Sequence, residues 1–109
     1  MIRRVAYVAR KPGMSVEEFW THYSGPHAAI VRQMPGLRRL VLSRPAGLQT
    51  SSWDAVGELW FDSAEALGAA FADPAIAARL AEDRPQFLGA SEVMVVEEVL
   101  RWEPPLDMP

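Results

Sequence analysis

Residues 2–36, IRRVAYVARKPGMSVEEFWTHYSGPHAAIVRQMPG, pass from a strand to a helix across a single turn signal. Residues 2–10 are rich in β-branched and small side chains and stop at Lys11-Pro12-Gly13, which predicts a strand. Ser15 with Glu18 makes a capping box, so a helix opens at Ser15. Phe19, Tyr23, His27, Ile30 and Met34, with Val16 and Trp20 beside them, then recur at i, i+3 and i+4 steps until Pro35-Gly36. One flaw interrupts this stripe. Pro26 has no N–H for the carbonyl of His22, and its ring clashes there, so a kink or a break and restart is expected after Gly25.

Working outward, residues 37–44 (LRRLVLSR) read as a second strand closed by Pro45-Ala46-Gly47. A polar loop, Leu48 to Ser52, leads into a third strand that alternates from Trp53 to Phe61. Ser63 caps a second helix through Leu67 and Phe71, and Asp73-Pro74 restarts it. Ile76, Leu80, Phe87 and Leu88 form its apolar side, with Pro85 expected to make its end irregular. Ser91 to Trp102 is the last strand. The order β-α-β-β-α-β predicts an α+β, ferredoxin-like domain: an antiparallel four-stranded sheet with two helices on one face. The domain spans residues 1–103, and a Pro-rich C-terminal tail follows over 104–109. The last strand is apolar on both parities, with Val93 and Val95 on one and Met94, Val96 and Leu100 on the other. An open sheet face should be polar, so a second copy is expected to cover it in a homodimer.

The 109 residues are half hydrophobic and 23% charged, the composition of one globular domain. Net charge is −3 with the signs intermixed and no basic block, which argues against a nucleic-acid partner. The chain has no cysteine, so disulfides and thiolate chemistry drop out. The apolar run near the N-terminus is too short for a signal peptide, and no stretch approaches the roughly 20 apolar residues of a membrane span. A soluble, cytoplasmic protein without a membrane partner is expected. Phosphate-binding glycine loops, nucleotide fingerprints and G-x-S-x-G nucleophile motifs are missing as well.

His27 stands out because it is ionisable near neutrality yet sits on an apolar helical stripe. A satisfied core histidine is the bland reading; a general acid/base in a cavity is the sharp one. His22 lies five residues earlier, about 500° round an α-helix, too far off one face to chelate a metal with His27. No metal site is therefore expected, and His22 falls on the flank of the stripe.

The segment R-K-P-G-M-S-V-E-E-F (Arg10 to Phe19), His27 eight positions on, and M-P-G-L-R-R-L (Met34 to Leu40) resemble the EthD family. So do W-D-A-V-G-E-L-W-F-D-S (Trp53 to Ser63) and the pairing of Asp83 with Phe87. The resemblance implies a dimeric α+β barrel, two ferredoxin-like sheets closed face to face, with a cavity between sheet and helices in each subunit. Relatives with this fold include muconolactone-type isomerases, cofactor-free polyketide cyclases, antibiotic-biosynthesis-type monooxygenases and haem-handling proteins. His27 stands where the family usually has its histidine, although Ser24-Gly25-Pro26 departs from the family's charged continuation of the helix.

From these residues the expected site follows. His27 would move a proton at a carbon beside a carbonyl, with Tyr23, one turn earlier, or Tyr7 stabilising the enolate oxygen. Tyr7, Trp60 and Phe87 are candidates for an aromatic pocket wall, and His22 and Asp83 for further substrate contacts. Asp83, one turn before Phe87, would orient a base or close a helix. Glu58 reads as solvated or paired with an arginine. The expected function is cofactor-free isomerisation, cyclisation or dehydration, or cofactor-independent oxygenation, of an aromatic or polyketide-like small molecule. The alternative is a haem or hydrophobic-ligand binding accessory protein, because one histidine suffices as an axial ligand.

Overall fold

β1 (Ile2–Arg10) is the second strand from one edge of a four-stranded antiparallel sheet ordered β2-β3-β1-β4. The structure, a computed structural model, describes residues 1–47 and 51–107. β2 (Arg39–Ser43), β3 (Ala55–Phe61) and β4 (Leu88–Glu97) complete the sheet. The βαββαβ order makes the α+β fold ferredoxin-like, as expected. The expected loop Leu48–Ser52 and the last two residues of the expected tail fall wholly or partly outside the described residues.

Local signals set the helix boundaries. Ser15 Oγ accepts from Glu18 N and Glu18 Oε1 accepts from Ser15 N, both at 3.0 Å, and α1 (Val16–His22) follows. Its chain continues as a π-helical segment, Tyr23–His27, and as α2 (Ala28–Val31). Pro26 therefore widens the helix by one residue instead of breaking it. A π turn absorbs the amide that proline lacks, and the Ala28 N–H reaches Tyr23 O. Ser63 caps α3 (Ala64–Ala72), and Asp73 caps α4 (Pro74–Phe87) with Pro74 at its first position. Pro85 does not disturb that helix, which runs through it to Phe87.

β3 is buried at every second residue: Ala55, Gly57, Leu59 and Phe61 face the helices. Phe19, Tyr23, Val31, Met34, Ile76, Leu80 and Phe87 close over that face, and Phe19 and Phe61 are wholly enclosed. Truncating either to alanine costs about 3–5 kcal/mol. Val16 lies outside this packing and is half exposed.

The helices leave β4 largely uncovered, with Val93 and Val95 about half exposed on the helix-facing side. β4 begins three residues earlier and ends five earlier than the alternation predicts. A bulge marks its start: Ala9 pairs with Ala90 and Arg10 with Leu88, so Gly89 is the extra residue. Val99, Leu100 and Trp102 lie beyond the sheet, exposed. On the open face stand Tyr7, Trp60 and Met94, with Arg3 paired to Glu58 at 3.3 Å. No described helix is long and apolar enough to cross a membrane.

Candidate active site

Between the helices and their side of the sheet lies a cavity of about 90 Å³. That is below the roughly 300–1,000 Å³ of most small-molecule sites and suits a compact ring. Its wall is mainly aliphatic, from Ala6, Val8, Val31, Leu40, Leu42 and Leu59, with Ser91 and Val93 on the uncovered β4 side. Tyr23, His27 and Phe87 bring rings to it, and Arg4 and Arg84 bring charge.

Among the described residues Asp83, 6% exposed, is the buried carboxylate. His27 Nδ1 donates to its Oδ2 at 2.7 Å, and His22 Nε2 donates to its Oδ1 at 2.6 Å. α4 supplies this acceptor because Ile76, Leu80, Asp83 and Phe87 share its buried face. His22 is thereby drawn in from the flank where α-helical geometry places it. The π segment's i→i+5 pattern brings residues 22 and 27 onto one side. The rings are packed as well as bonded: Tyr23 stacks on His27 at 5.0 Å between centroids and 8° between planes. Phe87 contacts both histidines, at 5.3 Å from His22 and 4.8 Å from His27.

Burial holds the His27 pKa below its ordinary 6.5, and the bond and charge of Asp83 offset only part of that effect. The ring is therefore neutral near pH 7. A carboxylate only accepts hydrogen bonds, so the ring keeps its proton on Nδ1 and presents Nε2 as a lone pair. Burial also pushes the Tyr23 phenol up to about 12, against a smaller opposing effect of Arg4. Tyr23 is thus a hydrogen-bond donor at all working pH values. Its hydroxyl fits against the sheet only because residue 57 is glycine: a Cβ there would stand 2.5 Å from the Tyr23 oxygen.

The structure brings together His22, Tyr23, His27, Asp83 and Phe87. It does not bring Tyr7 or Trp60 to them. Both point to the opposite face of the sheet, because their strand positions alternate with those facing the helices. Tyr7 is 42% exposed beside Trp53, and Trp60 lies under the guanidinium groups of Arg3 and Arg39. The expected aromatic wall is thus reduced to Phe87 with Tyr23. Arg4, Arg84 and Gly57 belong to the site but are absent from the sequence expectation. Arg4 had a signal, a charge on the strand parity of Ile2, Ala6 and Val8.

The profile of the EthD domain family matches residues 11–91. A crystal structure described as an ethyl tert-butyl ether D (EthD) family protein, from Bacillus halodurans, is 25% identical. It superposes with a TM-score of 0.73 over 91% of this chain and 100% of that one. SnoaB from Streptomyces nogalater, described as a cofactor-independent oxygenase, is 19% identical with a TM-score of 0.65, over 98% of this chain and 97% of its own. A dimeric ferredoxin-like protein of unknown function from Thermobifida fusca is 19% identical with a TM-score of 0.64, over 87% and 88% of the respective chains. No curated protein matches.

Proposed function

The chain belongs to the EthD family, and we propose that its cavity catalyses proton transfer, without an added cofactor, on a small enolisable ring substrate. One observation carries this reading: the Asp83 carboxylate holds His27 by Nδ1 at 2.7 Å while the same ring forms part of the cavity wall. Nε2 then takes a proton from a carbon beside a carbonyl, and Asp83 stabilises the imidazolium that forms. The Tyr23 hydroxyl donates to the enolate oxygen as charge develops there. Isomerisation, ring closure and dehydration all begin with this step. With dioxygen as second substrate, the same carbanion leads to oxygenation, the activity class named for SnoaB.

His22 and Phe87 support the step by fixing Asp83 and the ring of His27. The active unit is proposed to be a homodimer whose open sheet faces close on one another, supported by exposed Tyr7 and Met94 on that face. The alternative, a haem or hydrophobic-ligand carrier, has less support. A cavity of about 90 Å³ takes one ring and not a porphyrin, so the residues present do not fit haem.

The test is proton exchange at the activated carbon of phenolic and cyclic 1,3-diketone probes in deuterium oxide, followed by NMR. Exchange is expected in the wild type and on the order of 10²-fold less in His27→Gln. Equal exchange in both would sink the proposal. A Soret band that appears on adding haem and is lost in His27→Ala would favour the carrier.

A further inference from the structure

The cavity that holds His27 also holds two cations without counterions. Arg4 reaches it from β1, half-buried, with its guanidinium 4.7 Å from the centre of the Phe71 ring. Arg84 reaches it from α4, at the exposed rim, one residue after Asp83. Among the described residues neither arginine forms an ion pair; the arginines that do are Arg3, Arg10, Arg38 and Arg101. Asp83, which precedes Arg84 in the chain, has one oxygen engaged by each histidine.

Such an arrangement is electrostatically incomplete. Each guanidinium has five donors and no ability to shed its charge. Desolvation disfavours the charged form of Arg4, and the positive charge of Arg84 acts on it in the same direction. Arg84 also disfavours a proton on His27. An apolar pocket that keeps two like charges facing one space, with no carboxylate among its described lining residues, is complementary to an anion.

We propose that the ligand of this cavity is a ring compound bearing an anionic oxygen, a carboxylate or an ionised phenol, held by Arg4 and Arg84. The assignment rests on the cavity being the substrate site, and it gives the proton-transfer reading a substrate class. The arginines then do two things. They orient the ring toward His27, and they lower the energy of the second negative charge that forms on deprotonation. Occupation by the anion also removes the repulsion that the two guanidiniums impose on each other.

The test is NMR titration of the protein with benzoate, methyl benzoate and 4-nitrophenolate. Benzoate or nitrophenolate is expected to bind roughly tenfold or more tightly than the neutral ester. Preference between the two anions identifies carboxylate or phenolate as the source. Arg84→Gln, at the rim and outside the packed core, should abolish the advantage of the anion over the ester. Arg4→Lys should reduce it, because an ammonium lacks the planar fork. His27→Gln should leave the anion preference in place while exchange activity is lost, so failure of the base assignment is separable from failure of this one. Equal affinity for benzoate and its ester in the wild type, or a full preference retained in Arg84→Gln, would overturn the proposal.

Discussion

Gly57 and the Tyr23 hydroxyl share one small space: a Cβ on the glycine would stand 2.5 Å from the phenolic oxygen. The ring cannot retreat easily, since it stacks on Phe19 at 5.0 Å on one side and on His27 at 5.0 Å. Gly57→Ala is therefore expected to displace Tyr23, lower stability by about 1–3 kcal/mol, and reduce proton-exchange activity. Urea unfolding beside the exchange assay checks both. Retention of full activity would mean that Tyr23 has no part in the reaction.

Asp83→Asn separates the two histidines. An amide offers one acceptor oxygen, so only one of the two histidines can go on donating, and the other meets an N–H group that it can satisfy only in its other tautomer. The expected loss is about 1–3 kcal/mol of stability and activity lower by on the order of 10²-fold. A neutral amide would also cease to stabilise the His27 imidazolium, so the rate should fall more than substrate affinity does. Separate kcat and KM values decide this.

The pH dependence follows from burial of His27, which lowers its pKa below 6.5 in spite of Asp83. In the unfolded chain the ring titrates near 6.5, so below that value the unfolded state takes up protons before the folded state does. This contribution therefore leaves stability intact above the unfolded pKa. It erodes stability as the pH falls from there to the folded pKa. Activity should show the same dependence, with kcat/KM rising along an acidic limb whose midpoint lies below 6.5. The limb should vanish in His27→Gln. A midpoint above 6.5 would contradict the burial of the base.

Two glycine substitutions should act in opposite directions. A Cβ on Gly89 would run into the carbonyl of Arg10 across the β1–β4 bulge, so Gly89→Ala should destabilise by about 1–3 kcal/mol. A Cβ on Gly68, inside α3, meets nothing, so Gly68→Ala should stabilise by about 0.5–1 kcal/mol. Thermal unfolding of both variants tests whether the bulge sets the position of β4.

Association through the open sheet face is checked by sedimentation. Wild-type protein is expected to sediment as a dimer and Met94→Arg as a monomer, because Met94 is 65% exposed on that face. A monomeric wild type would leave the apolar residues of this face without a covering copy.

Much of the fold could be read locally. Ser15 with Glu18, Ser63 and Asp73-Pro74 are each short-range devices whose hydrogen bonds are complete within a few residues. Alternation on β3 likewise identified one buried face. What escaped depended on partners distant in sequence or on departure from regular geometry. Trp60 reads as an aromatic anywhere along the chain, and only strand parity assigns it to the face away from the cavity. His22 reads as a flank residue at 100° per position, and the π segment invalidates that angle. Asp83 reads as a group that orients a base or closes a helix, but its bonds span 61 and 56 positions, and no local pattern names both histidines as its partners.

The π segment Tyr23–His27 also has a bearing on how chain length can vary in this protein. It contains one residue more than an α-helix of the same rise would use. A chain lacking Pro26 would have both its missing amide and its surplus residue removed at once. The two histidines would then stand four apart, the ordinary spacing for neighbours on one helical face. Ala28, Val31 and Met34 would keep their places against the sheet. Deleting a residue from α1 or α2 would instead turn everything beyond it by about 100° and carry those side chains out of the core. The stretch of the helix that joins the two histidines is thus the part of it where loss of one residue is structurally silent.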